Sequence, residues 1–265
     1  YMYDFTYQRA TSRDAAAAKL AAAAEGAYLA GGMTLLATMK QRLANPSDLV
    51  DLGGIDDLVG IRRDGDSVVV GAMASHAAVA ADADLRSAIP ALADLAGGIG
   101  DPQVRNRGAI GGSIANADPA ADYPAAVVAL GATVCTTARE IAADDMFTGM
   151  FETALNEGEL ITEVSFPVPE AAYYAKFANL ASRYAIVGVM VAMTGGSVRV
   201  AVTGAGSSVF RAADMEEALA GNFSADAIAG VNVPADGLNS DIHAAADYRA
   251  HLVNVMARRA VTGCL

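Results

Sequence analysis

Two glycine pairs, Gly31–Gly32 and Gly111–Gly112, are the residues of this chain best suited to holding an anion. Glycine has no Cβ, so successive main-chain N–H groups can close on an oxyanion, and its φ is free to turn positive where such a corner requires it. A hydroxyl follows each pair, Thr34 beyond Met33 in the first and Ser113 in the second, and adds a donor. Asn116 and Asp118 place polar side chains close behind the second pair. Two such corners could hold the two phosphates of one dinucleotide. The same residues also read as glycine-rich connections that bind nothing, because neither pair is a P-loop or a GxGxxG fingerprint.

The flanking segments are those that would position such corners. Residues 28–36, YLAGGMTLL, are a short apolar strand ending at Gly31 and Gly32, and the helical run TLLATMKQRL begins immediately afterwards. A turn of this kind presents free N–H groups at a helix start. The second pair lies in GGIGDPQVRNRGAIGGSIANADPAAD, from Gly97 to Asp122, a run too irregular for one helix or one strand. It reads as a long functional loop with Gly111 and Gly112 at positive φ and their N–H groups free. An apolar run of helical length, AADYPAAVVAL, follows Pro119.

The rest of the chain divides into three units. FTYQRA reads as a strand, followed by an alanine-rich helix from Arg13 to about Glu25, capped by Thr11 and Ser12 and stopped by Gly26. With LVDL (Leu49 to Leu52) as a further strand, the β-α-β-α-β order describes a small α/β unit, residues 1–57. A second unit, 58–169, starts from the strand SVVVGAM, continues through helices near Ser75–Ala83 and Ile89–Ile99, and ends in strands Ala132–Thr137 and Leu160–Phe166. His76, just after a strand, reads as a packing or local hydrogen-bonding residue. Beyond Pro167 and Pro169, residues 170–265 hold three successive strands, AYYAKFANL, AIVGVMVAMT and SVRVAVTGAG, the last two joined by a Gly195–Gly196 hairpin. Helices follow over RAADMEEALAG and from about Asp241 to Thr262, and Gly204–Ser208 reads as a turn.

Composition sets outer limits. A chain of 265 residues, 54% hydrophobic and 18% charged, folds and buries a substantial core. Its net charge of −12 argues against nucleic acid as a partner. No apolar stretch is long enough for a membrane span, and no basic and then apolar leader opens the sequence, so neither a span nor export is expected. Cys135 and Cys264 are too few for an iron–sulfur cluster or a zinc site, and Cys135, in the β-type run ATVCTT, reads as a small core residue. So few thiols fit a reducing cytoplasm.

AGGMT (Ala30 to Thr34) paired with AIGGS (Ala109 to Ser113), followed by Asp118–Pro119 and Asp122, resembles the FAD-binding medium subunits of molybdenum hydroxylases. Carbon monoxide dehydrogenase and the bacterial xanthine dehydrogenase relatives belong to that family. NPSDLVDLGGI, GELITEVSFP and AADYRAHLVNVMARRAV extend the resemblance over nearly the whole chain. It implies an α+β fold, in which a two-part α/β FAD-binding domain of the vanillyl-alcohol-oxidase, PCMH-like type precedes a C-terminal three-stranded antiparallel sheet with helices. It also implies a cofactor contact set of Ala30, Gly31, Gly32, Met33, Thr34, Leu35, Ala109, Ile110, Gly111, Gly112, Ser113, Asn116, Asp118, Asp122, Ile161, Lys176 and Tyr184, with no catalytic residue and no metal ligand in this chain. Arg105 and Arg107 read either as a local positive site for the flavin or as solvated loop charges.

By the same resemblance, substrate is oxidised at the molybdenum cofactor of a large partner subunit. Electrons pass through two 2Fe–2S clusters of a small iron–sulfur partner to FAD, and on to a terminal acceptor such as a quinone or O2. The assembly implied is a dimer of heterotrimers in the cytoplasm, associated with the inner face of the membrane through its acceptor. The most similar pattern is that of aerobic carbon monoxide dehydrogenases. The alternatives are a xanthine, aldehyde or N-heterocycle dehydrogenase and a free-standing flavin oxidoreductase. Three positions depart from the family pattern: Met33 where His is common in carbon monoxide dehydrogenases, and Leu180 and Arg183 where Arg and Asp are usual.

Overall fold

The computed structural model describes residues 2–265. Strand β1 (Thr6–Arg9), helix α1 (Arg13–Ala22), β2 (Gly26–Leu29), α2 (Leu35–Lys40) and β3 (Asp48–Asp51) follow the expected β-α-β-α-β order. They build a parallel sheet in the order β1-β3-β2, which the helical crossovers make possible. Ser12 caps α1, its hydroxyl accepting from the Ala15 N–H at 3.1 Å. The helix ends at Ala22, short of the expected Glu25, and Gly26 opens β2 instead of stopping the helix. A Cβ at Gly26 would lie 2.8 Å from Leu20 Cδ1, so the glycine lets the chain double back over the helix end.

The second unit begins with the hairpin β4 (Ile61–Asp64) and β5 (Ser67–Gly71). Six helices follow: α3 (His76–Ala81), α4 (Ala83–Ala88), α5 (Pro90–Gly97), α6 (Pro102–Arg107), α7 (Ile110–Asn116) and α8 (Tyr123–Ala129). Then come β6 (Thr133–Thr136), β7 (Glu140–Ala142), the short α9 (Ala143–Met146), the ribbon of β8 (Phe147–Gly149) and β9 (Glu152–Thr153), and β10 (Ile161–Pro167). The sheet is antiparallel, in the order β4-β5-β10-β6-β7. The run from Gly97 to Asp122, read from sequence as a loop, therefore contains two helices. Asp101 caps α6 by accepting from the Val104 N–H at 2.9 Å, with Pro102 in the first turn, and Ala117 at φ +46° closes α7.

The third sheet has four antiparallel strands where three were expected: β11 (Ala171–Ala178), β12 (Ala185–Thr194), β13 (Ser197–Thr203) and β14 (Phe210–Arg211). A two-residue strand such as β14 is too short for alternation to reveal. Gly195 and Gly196, at φ +58° and +73°, make the hairpin turn. Helices α10 (Ala213–Gly221) and α11 (Ala246–Cys264) complete the chain. Asp241, expected in the last helix, lies before it, where its carboxylate caps a turn by accepting from the N–H groups of His243 at 2.8 Å and Ala244 at 3.1 Å. Strand β12 is buried on both faces: Met190 and Ala192 join the large core built on β5, β6, β10 and the central helices, while Val187, Val189 and Val191 face α10 and α11. This two-sided burial explains a continuous apolar run in place of an alternating one. Cys135 is only half-buried in β6.

Candidate cofactor-binding site

A cavity of about 530 Å³ opens between the first unit and the second, within the size range of cofactor sites. Both glycine pairs lie on its wall, and they meet. A Cβ at Gly31 would stand 2.0 Å from the Arg107 carbonyl oxygen, and one at Gly112 would stand 3.2 Å from Ala30 Cβ. The N–H groups of Gly31, Gly32, Met33, Thr34 and Leu35 reach no acceptor among the described residues, and neither does that of Gly112. Gly31, Gly32, Leu35 and Gly112 are half-buried and Met33 and Thr34 exposed, and such a row of unpaired donors on a cavity wall suits an anion.

Gly111 corrects the reading from sequence. Its N–H donates to the Ala72 carbonyl at 2.8 Å, and a Cβ there would lie 2.6 Å from Ala72 Cβ. Its lack of a side chain serves helix packing, and its N–H is not free. Of the four paired glycines only Gly32, at φ +72°, has positive φ. Ala109, Ser113, Asn116, Asp118 and Ile161 also line the cavity. Ile110 does not, because at the start of α7 it is fully buried, with its N–H on the Ala74 carbonyl at 3.1 Å.

Asp122 reaches the cavity from a buried network. Its carboxylate accepts from the Tyr174 hydroxyl at 2.5 Å and pairs with Lys176 Nζ at 3.0 Å. Burial raises this carboxyl, while the Lys176 ammonium and the Tyr174 hydroxyl oppose the shift. Lys176 is not on the cavity wall; it sits behind Asp122 and also donates to the Gly98 carbonyl at 2.9 Å and the Arg183 carbonyl at 3.0 Å. Tyr174 escaped the sequence reading, although alternation along β11 puts it on the same face as Lys176. Tyr184 is on the wall, its hydroxyl pKa raised by burial and then by the charges of Asp118 and Asp122.

Of the other wall residues, Leu155, Glu159 and Leu160 carry no sequence signal of their own. His76 is buried, and its Nδ1 has no partner. Burial, and after it the Arg105 charge, hold its imidazole down at about 4. Leu155, Leu160 and Ile161 form an apolar side. Behind them the Glu159 carboxylate, 2% exposed, accepts from the Thr136 hydroxyl at 2.6 Å and the Asn156 N–H at 2.8 Å and pairs with Arg139 at 3.2 Å. Burial opposes its charge, yet these bonds outweigh it and hold the carboxyl at about 2. The Tyr28 hydroxyl donates to the Gly158 carbonyl at 3.1 Å and ties the first unit to this side. Arg105 donates to the carbonyls of Ile99 and Gly100, and neither it nor the Arg107 side chain faces the cavity.

Residues 3–169 match the family described as the FAD binding domain in molybdopterin dehydrogenase. The chain is 37% identical to the carbon monoxide dehydrogenase medium chain of Afipia carboxidovorans, over 97% of its own length and 95% of that protein's. To the nicotine 6-hydroxylase medium subunit of Paenarthrobacter nicotinovorans it is 35% identical, over 88% and 87% of the two chains. Its fold is similar to that of reconstituted CO dehydrogenase from Oligotropha carboxidovorans, with a TM-score of 0.91 at 34% identity, covering 100% of this chain and 98% of that one. Quinoline 2-oxidoreductase from Pseudomonas putida 86 gives 0.90 at 28% identity and the same coverage.

Fold and cavity together define a flavoprotein of the PCMH-like type. The chain belongs to the FAD-binding medium subunits of molybdenum hydroxylases, a family of oxidoreductases. The cavity suits that cofactor: unpaired N–H groups and a floor without side chains match a diphosphate, and the apolar side matches a flat ring system. No helix among the described residues is long and apolar enough to cross a membrane.

Proposed function

We propose that this chain is the flavin relay of a molybdenum hydroxylase of the carbon monoxide dehydrogenase type. The observation that carries the reading is the meeting of two glycine corners, with free N–H groups, on one cavity. In this reading the N–H groups of Gly31 to Leu35 and of Gly112, with the hydroxyls of Thr34 and Ser113, hold the diphosphate. Ala30 and Ala109 are small enough to leave the approach open, while Ile110 and Gly111 act indirectly by seating α7. Asn116 and Asp118 bond ribose or adenine. Ile161, with Leu155 and Leu160, lies against the ring, and Tyr184 faces it, with Asp122 and, behind it, Lys176 fixing the polar side. FAD, when bound, takes up and releases the electrons; the chain binds it, orients it and excludes water.

Residues 1–57 and 58–169 form the two halves that hold the cofactor, and residues 170–265 complete the site through Tyr184. A large molybdenum subunit oxidises the substrate, a small subunit with two 2Fe–2S clusters delivers the electrons, and a quinone or O2 accepts them, the whole being a dimer of heterotrimers. The names of similar medium subunits and enzymes span carbon monoxide, nicotine, glyceraldehyde and quinoline. Likeness in this chain therefore speaks for the relay and not for the choice of substrate.

The test is co-expression with the large and small subunits, followed by metal analysis and visible spectroscopy. Flavin absorbance with co-purifying iron and molybdenum is expected. Flavin without either metal would favour a free-standing oxidoreductase, and a preparation that takes up no FAD would refute the relay altogether.

A further inference from the structure

Arg183 stands at the opening of the cavity, exposed yet part of its wall. Its backbone is left-handed, φ +63°, and is fixed from both sides: the Arg183 N–H donates to the Asn179 carbonyl at 2.9 Å, and the Arg183 carbonyl accepts from Lys176 Nζ at 3.0 Å. The guanidinium reaches from the β11–β12 loop to the Gly100 carbonyl, 3.2 Å away in the segment after α5. That carbonyl already accepts from Arg105 at 2.8 Å, so its hydrogen bonding does not depend on Arg183. A guanidinium has five donors, and this single contact leaves most of them available.

The charges around the cavity give Arg183 its significance. Asp122 is neutralised by Lys176 at 3.0 Å and Glu159 by Arg139 at 3.2 Å. Asp118 makes no ion pair among the described residues; its carboxylate accepts from the Ala120 N–H at 2.9 Å. Of the described wall residues, Arg183 alone carries a permanent positive charge. A protein of net charge −12 that encloses a diphosphate beside Asp118 gains from a cation within screening distance.

We propose that Arg183 is a cationic strap at the edge of the cavity, joined to Gly100 of the neighbouring segment, that retains the anionic cofactor. The proposal rests on the reading of the cavity as an FAD site. It places the positive charge of that site in the third unit, not in Arg105 and Arg107.

The experiment compares wild type, Arg183→Met and Arg183→Lys in the complex with the partner subunits, following FAD release by the rise in flavin fluorescence on dilution at low and high salt. Release from Arg183→Met is expected to be about tenfold faster, the loss of one charge-assisted contact, with Arg183→Lys between the two. Wild-type release should quicken with salt and Arg183→Met should lose most of that dependence. Thermal unfolding of the apo chain, which reports on the fold alone, should be the same for all three. Flavin release from Arg183→Met at the wild-type rate, with the wild-type salt response, overturns the strap while leaving the FAD site standing. A wild-type complex without flavin overturns both.

Discussion

Gly111 and Gly112 adjoin in α7 and face different neighbours, so the same substitution has different consequences at each. At Gly111 a Cβ would press on Ala72, 2.6 Å from its Cβ and 2.8 Å from its carbonyl oxygen, inside a packed core. Gly111→Ala is therefore expected to cost about 1–3 kcal/mol of stability, seen as a lower urea midpoint, with flavin lost only as folding fails. At Gly112 the added methyl would meet Ala30 Cβ at 3.2 Å, where a slight shift relieves it. Gly112→Ala should keep the wild-type midpoint and weaken FAD binding, measured by flavin fluorescence titration. His76 yields a pH prediction. The unfolded imidazole takes a proton below about 6.5, whereas the folded one resists until about 4. Protons thus favour the unfolded chain across that window, and stability should fall by up to ~3 kcal/mol as pH drops from 6.5 to 4. Urea melts across this range on wild type and His76→Gln, where the variant's slope should be shallower, check it.

At the scale of elements, the segment between α7 and α8 hangs from the third sheet. The buried Thr203 hydroxyl lies 3.0 Å from the Pro119 carbonyl and 2.7 Å from that of Ala121. The Gly204 N–H also donates to Pro119, at 2.7 Å, and the Ala185 N–H to Ala120, at 3.2 Å. Asp118 and Asp122 flank this segment, so sheet geometry sets where they stand at the cavity. Thr203→Val would leave the Ala121 carbonyl without a donor and is expected to cost about 1–3 kcal/mol and weaken FAD binding severalfold. Val202→Ala, in the core facing α10 and α11, should destabilise without changing the affinity of the folded fraction. Equal loss of affinity in both variants would mean that the anchoring has no specific role. Most of the longer strands and most helices were legible because alternation and capping are local, while short strands such as β8, β9 and β14 were not. The helices α6 and α7 were not, since glycine and proline there suggested a loop; α6 starts on the local cap of Asp101 and Pro102, whereas contacts with Ala72 and Ala74 fix the backbone of α7.

For the whole molecule, the break at Pro167 and Pro169 separates sheets but not cores. Met190, Ala192 and Ala201 of the third sheet sit in the same buried cluster as Val127, Phe166 and Leu92 of the second unit. A fragment of residues 1–169, which contains the family match over 3–169, is accordingly expected to show no cooperative thermal unfolding by circular dichroism and to bind no FAD. A sharp transition in that fragment would show that the second unit folds without the third.

The sequence alone determined which segments lacked side chains beside a hydroxyl, how apolar residues alternated and where turns fell. These are properties of neighbouring residues, and they sufficed to place the two corners and most elements. Tertiary structure decided which of those corners kept their N–H groups free and which charges stayed unpaired. Gly111 surrendered its donor to Ala72, Lys176 withdrew behind Asp122, and Arg183 became the cation at the cavity. Each outcome depends on partners brought from distant elements, and a hydrogen bond or ion pair exists only once folding has set the distance between its atoms.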